Sequence, residues 1–303
     1  YVMKLFSPEK LYKHFIRDNY DIIVSYLEGP TARIVSGCTN PNTKLVSWIH
    51  IEQHTKELAS KSFRSYKEAL DCYSKFDRTV CVSDTVKDDF ESIFDTKKPV
   101  EVLYNTNESE KIKKLSDEKV DDVNFSKDII NIISVAKIVP SKGYDRLMKI
   151  HKKLIEKNIK NHIYILGIGE EKEKYEKYLA ENNLTDTFTF LGYRDNPYKY
   201  VKKADLYVCS SRREGFSTAV TEALIVGTPV VSTNCSGAYE LLGKNNEYGI
   251  VTENNEDALY EGIKKILTTP DLLEAYAAKA KERGKAFSTE KTVKAVEEML
   301  SAL

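Results

Sequence analysis

The chain has 303 residues, enough for two domains of ordinary size rather than one. Lys plus Arg and Asp plus Glu both number 46, so the formal net charge is zero and no global field points to nucleic acid as a partner. No apolar run approaches the roughly 20 residues of a membrane span. The five cysteines at 38, 72, 81, 209 and 235 are odd in number and widely spaced, which predicts reduced thiols in a cytoplasmic protein.

Ser7 caps a helix over Ser7 to Asp18, with Pro8 at its first position and Leu11, Phe15 and Ile16 on one face. Asp21 to Tyr26 reads as a buried strand and Lys44 to Ile49 as a second, ending at His50. A helical segment from Glu57 to Lys75 follows. Arg78 to Ser83 is a third strand, Asp84 caps the next helix, and Val100 to Tyr104 is a fourth strand. Strands alternating with helices predict a parallel α/β sheet. Lys111 to Val123 is crowded with charge and poor in large apolar groups, as expected of a linker, and the domain boundary is set there.

The alternation then resumes. Strands are predicted at Ile129 to Val135, His162 to Leu166 and Thr187 to Leu191, with helices at Gly143 to Lys157, Glu170 to Asn182 and Pro197 to Lys203. Many lysines alternate with glutamates, as in Glu170 to Lys177, which is the pattern of a solvated helix face. Only nine basic residues are arginines. After Ile250-Val251, helices are expected at Glu256 to Leu267, Asp271 to Gly284 and Thr289 to Leu300.

The most informative stretch is Ser210 to Ser232. Leu206 to Cys209 is a short buried strand, Ser210 to Gly215 is the loop at its carboxyl end, and Ser217 or Thr218 caps a helix that Gly227 and Pro229 stop. The unpaired amides and positive dipole end of such a helix attract phosphate. Glu214 and Glu222 flank this helix end, and their carboxylates suit hydroxyl donors of a ribose and a sugar. In the context Glu-Gly-Phe-Ser, Glu-Ala and Gly-Thr-Pro-Val-Val, the pair resembles the signature of retaining family 4 glycosyltransferases of the GT-B fold.

That resemblance implies two Rossmann-like, doubly wound parallel-sheet domains. The first, residues 1–122, would be the acceptor side, and it looks incomplete because the family's first strand and glycine-rich loop are missing. Residues 123–285 would bind the nucleotide sugar, and 286–303 would form a helix crossing back onto the first domain. Lys137 and Lys142, in Ala-Lys-Ile-Val-Pro-Ser-Lys-Gly, stand where the family has arginine then lysine directed at the diphosphate.

Gly167-Ile168-Gly169 invites a dinucleotide reading, but Lys172 replaces the third glycine of that fingerprint. The resemblance assigns Gly167 to the nucleotide pocket and Tyr193 and Arg194 to the segment holding the base. It directs Gly215, Phe216, Ser217 and Thr218 at the diphosphate, Glu222 at the ribose, and Glu214 at the donor sugar. Trp48-Ile49-His50 resembles the strand end that sets a histidine beside that sugar.

His50 and His54 do not form a His-Glu-x-x-His site, and no Asp-x-Asp is present, so no metal and no cofactor is expected. The implied partners are a UDP- or GDP-sugar and a glycan or lipid-linked acceptor, with transfer at a cytoplasmic site touching the membrane's inner face and the donor held in a crevice between the domains. A nucleotide-sugar binding protein without turnover and a nicotinamide dehydrogenase are the alternatives.

Overall fold

Short β-branched runs set the strands, and all pairings among the described residues are parallel. The computed structural model describes residues 2–303. It divides into one unit of residues up to Asn105 with Val293–Leu303, and a second of Thr106–Thr292.

In the first unit β1 (Ile22–Ser25), β2 (Lys44–Ile49), β3 (Arg78–Cys81) and β4 (Val100–Val102) pair in that order. β2 is buried from Leu45 to Ile49, as a strand covered on both faces must be. β1 is an edge strand on which Val24 is exposed, and Phe15 and Tyr20 nearby in sequence are exposed too.

The first helix, Pro8–Phe15, has the expected cap at Ser7, whose Oγ accepts from Lys10 N. It buries Leu11 but not Phe15. Two sequence expectations fail locally. The segment 57–75 is two helices, Lys56–Ala59 and Tyr66–Tyr73, because Ser65 caps a fresh start by accepting from Glu68 N. Likewise Ser83, not Asp84, caps the helix Asp84–Ile93. A short helix, Pro30–Val35, was not expected. It carries the fully buried Arg33, which is held by Glu68 and by the carbonyls of Met3 and Phe6.

The second unit holds β5 (Ile130–Val135), β6 (Asn161–Leu166), β7 (Phe188–Gly192), β8 (Leu206–Cys209), β9 (Val230–Thr233) and β10 (Ile250–Thr252). Their order is β10-β9-β8-β5-β6-β7, the dinucleotide-fold arrangement in which the fourth strand of the unit lies beside its first. Ile132, Ile163, Ile165, Leu206, Val208 and Val231 form the sheet's share of the core, closed by Leu147, Ile150 and Leu154 from the helix Tyr144–Glu156 and by Leu259 and Ile263 from Glu256–Thr268.

The chain divides at Asn105 and Thr106 rather than at 122 and 123. The charged segment read as a linker contains a helix, Ser109–Ser116, and its polar groups are spent on the second unit. Asn196 Nδ2 donates to Leu115 O at 2.8 Å, Lys199 Nζ to Lys119 O at 3.1 Å, and Tyr200 Oη to Asp122 Oδ1 at 2.8 Å. Lys202 pairs with Asp117. Charge density marks a solvated surface, but here it marks a polar contact. The last helix, Thr289–Ser301, begins in the second unit, and its residues from Val293 group with the first.

Candidate active site

The strand order of the second unit reverses between β5 and β8, so the connections from these neighbours run to opposite sides and leave a crevice beyond their carboxyl ends. Their ladder stops at Ile133 and Tyr207, although β5 continues to Val135 and β8 to Cys209. The buried Tyr207 hydroxyl takes over, donating to Val135 O at 3.3 Å and accepting from Val135 N at 3.4 Å.

A cavity of about 300 Å³ opens above this point, lined by Ala136, Lys137, Lys142, Ser211, Glu214 and the Phe216 to Ala219 turn, among others. The helix Thr218–Val226 starts at its wall. Ser217 Oγ accepts from Val220 N at 3.4 Å, so the capping group is already used, while Thr218 and Ala219 of the first turn line the cavity. Gly227, at φ 84°, ends this helix, as its sequence predicts.

Lys142 Nζ lies 2.6 Å from Glu214 Oε1, and Ser211 Oγ donates to the same oxygen at 2.6 Å. Both ionic side chains are mostly shielded, at 24% and 15% exposure. Lys137 is exposed and has no ion-pair partner among the described residues. The lysine pair therefore divides into one ammonium held by a carboxylate and one free to meet an anion.

An adjoining cavity of about 420 Å³ shares Val135, Ala136 and Lys137 with the first and is lined further by Gly167, Ile168, Tyr193, Arg194 and Tyr198. Gly167 lies at φ 149°, and a Cβ there would stand 1.9 Å from Ala136 O, so the loop after β6 meets the end of β5 at a distance only glycine allows. Ile168 and Tyr193 are 60% and 67% exposed, and they offer flat apolar surface at the cavity. The Arg194 guanidinium is engaged by Asp122 at 3.0 Å.

Glu222 is half-buried, and Tyr198 Oη donates to its Oε1 at 3.5 Å. Burial raises the Glu222 carboxyl to about 7, and the tyrosine bond offsets this only in part. Burial beside that carboxylate lifts Tyr198 to about 12.

Thus Lys137, Lys142, Glu214, Phe216, Ser217 and Thr218 converge on one cavity, and Gly167, Tyr193 and Arg194 on its neighbour. Gly215 is buried within the loop and is not a lining residue. Ser211 and Tyr198 were missed by sequence reasoning. Their only signal was position, one just after β8 and the other opening the helix Tyr198–Lys203.

His50 belongs to the first unit, directly after β2. Its backbone N donates to Glu28 Oε2 at 3.0 Å and its ring packs edge-on against Tyr26 at 5.0 Å. Its Nε2 is buried without a hydrogen-bond partner. Among the described residues no group of three or more His, Cys, Asp or Glu could hold a metal ion.

A switch-point crevice with a helix amino end, an exposed lysine and a glycine-tight loop is where a doubly wound domain can receive a phosphate-bearing ligand. The comparisons carry this further: residues 116–283 match the family model "Glycosyl transferases group 1", and the chain belongs to that family. Its α/β architecture is that of GT-B glycosyltransferases.

It is 30% identical over 275 residues to the N-acetylgalactosamine-N,N'-diacetylbacillosaminyl-diphospho-undecaprenol 4-alpha-N-acetylgalactosaminyltransferase of Campylobacter jejuni, covering 89% of this chain and 70% of that relative. It is 25% identical over 276 residues to the poly(ribitol-phosphate) alpha-N-acetylglucosaminyltransferase of Staphylococcus aureus, covering 88% of this chain but only 52% of that one. The crystal structure of Anabaena Alr3699/HepE in complex with UDP superposes with a TM-score of 0.76 at 16% identity, over 98% of this chain and 81% of the other.

Proposed function

We propose that the chain transfers a sugar from a nucleoside diphosphate sugar, a UDP- or GDP-sugar, to a hydroxyl of a lipid-linked or teichoic-acid-type glycan, with retention at the anomeric carbon, as in family 4 of these enzymes. The observation that carries the donor half is the convergence of Lys137, Lys142 and the Phe216 to Thr218 turn on the switch-point cavity. The acceptor class rests on the two relatives whose names specify an undecaprenol-linked glycan and a poly(ribitol phosphate).

In this reading the base lies against Ile168 and Tyr193, near Gly167 and Arg194. Glu222 accepts from the ribose hydroxyls. Lys137, Lys142 and the amides at Ser217 and Thr218 neutralise charge growing on the diphosphate as the glycosidic bond opens, without a metal ion or other cofactor. Glu214 orients the donor sugar, and His50 acts on that sugar, its unpartnered buried Nε2 supporting that role. Attack from the face the nucleotide leaves gives retention. Work at the cytoplasmic face of a membrane follows from a lipid-linked acceptor; among the described residues no helix is long and apolar enough to cross one.

The test is a thermal-shift comparison of UDP, GDP and ADP, followed by transfer to undecaprenyl-linked and poly(ribitol phosphate) acceptors with anomeric analysis of the product. A shift by one nucleoside diphosphate with transfer supports the reading. Binding without transfer or donor hydrolysis, in a version carrying additional amino-terminal sequence as well as in this chain, returns it to a passive binding protein.

A further inference from the structure

We infer that Arg146, which touches neither cavity, is the positioning residue that fixes the Glu214 loop for the donor sugar; this rests on the donor-binding reading above.

The loop leaves β8 with its carbonyls turned away from any ladder, and buried carbonyls need donors. Arg146 is 5% exposed and supplies donors to two of them, while Thr233 Oγ1 and Cys235 Sγ also donate to Ser211 O, at 2.6 and 3.1 Å. Arg146 Nε donates to Ser210 O at 2.8 Å, its Nη2 to Ser211 O at 2.6 Å, and its Nη1 to Asn254 Oδ1 at 2.9 Å. Asn254 Nδ2 in turn donates to Arg212 O at 3.0 Å, so three successive carbonyls are held from one side. Gly143 makes room, since a Cβ there would stand 2.1 Å from Ser210 O and 2.8 Å from Arg146 Nε.

On the cavity side the same residues work through their side chains. Ser210 Oγ donates to Lys142 O at 2.8 Å and Ser211 Oγ to Glu214 Oε1 at 2.6 Å. A rotation of the Ser210–Ser211 peptide would therefore move the Lys142 backbone and the Glu214 carboxylate together. A planar guanidinium with five donors in one fork blocks that rotation, and a lysine ammonium in the same place cannot span the three acceptors. Arg146 carries no carboxylate partner among the described salt bridges, so its role is geometric rather than a paired charge.

The experiment titrates UDP and UDP-N-acetylglucosamine into wild type, Arg146→Lys, Glu214→Ala and the double variant, with melting temperatures recorded for each. Arg146→Lys is expected to leave UDP affinity within about two-fold and to weaken the sugar nucleotide about ten-fold, with no further loss when Glu214 is already alanine. Asn254→Ala, which removes one acceptor of the fork together with the donor to Arg212 O, should move affinity the same way by about three-fold.

Equal losses for both ligands, or a full Arg146→Lys effect in the Glu214→Ala background, would show a merely structural role and overturn the inference. So would unchanged affinity in a variant that stays folded. If wild type binds neither this pair nor GDP and a GDP-sugar, or Glu214→Ala changes nothing, the donor reading itself fails and the inference falls with it; if only the guanosine pair binds, the same four proteins are compared with it.

Discussion

Lys142 and Glu214, 72 positions apart, meet at 2.6 Å inside the switch-point cavity, so one of the two lysines proposed to hold a diphosphate is already paired with a carboxylate. A diphosphate must share that ammonium with the carboxylate. Glu214→Gln should therefore raise UDP affinity by about two- to five-fold while weakening the intact sugar nucleotide. Lys142→Met should cost UDP binding about 1–2 kcal/mol, because it removes a charge-assisted contact. Calorimetric titration decides this, and weaker UDP binding by Glu214→Gln would contradict it.

Glu222 gives a pH signature. Its carboxyl ordinarily titrates at 4.5 and is raised to about 7 by burial, so between these values the folded state holds a proton that the unfolded chain has lost. Stability from this group is present below about pH 4.5 and falls by on the order of 1–3 kcal/mol as pH rises to about 7. Glu222→Gln should flatten that part of the denaturation profile. Ribose hydroxyls donate better to the ionised carboxylate, so UDP affinity should climb through pH 7 in wild type relative to the glutamine variant, a comparison that cancels the ligand's own titration.

Two glycines at the ends of β6 and β7 separate strain from collision. Gly167→Ala meets Ala136 O at 1.9 Å and should lose about 2–4 kcal/mol together with UDP binding. Gly192→Ala has positive φ but only Arg194 Nη1 nearby, at 3.9 Å, and should cost about 1 kcal/mol with binding retained. Chemical denaturation of both variants checks the contrast.

His50→Ala should leave UDP affinity within two-fold and lower turnover by about 10²–10³ if its unpartnered Nε2 meets the donor sugar. Separate measurement of Kd and kcat tests this; a loss confined to Kd would remove His50 from the reaction. Turnover is also expected to survive treatment with a chelator.

Much of the second unit was readable directly. β5, β8 and the helix Thr218–Val226 lie within a residue or two of their predicted bounds, since a short apolar run and, for the helix, the glycine that ends it are local signals. The unit boundary was misread because exposed lysines and acids in 111–123 look the same whether they face water or Tyr200 and Lys202. Helix starts were misassigned by one residue at Ser83 and Asp84, where either side chain could serve as the cap.

Apart from Arg194, the arginines were passed over. Arg33, Arg64, Arg146, Arg194, Arg212 and Arg283 each donate to a main-chain carbonyl, yet in a lysine-rich chain their scarcity was the only clue.

By itself, then, the amino-acid order determined the alternation of strands and helices and the residue types at strand ends, because burial periodicity and capping act over a few neighbouring positions. Only the tertiary structure decided that Glu214 spends its charge on Lys142 and Ser211, and that Arg146 grips the loop behind it. Those contacts join β5's exit to β8's across more than 60 residues, a distance over which no local pattern carries information and only the strand order brings the partners together.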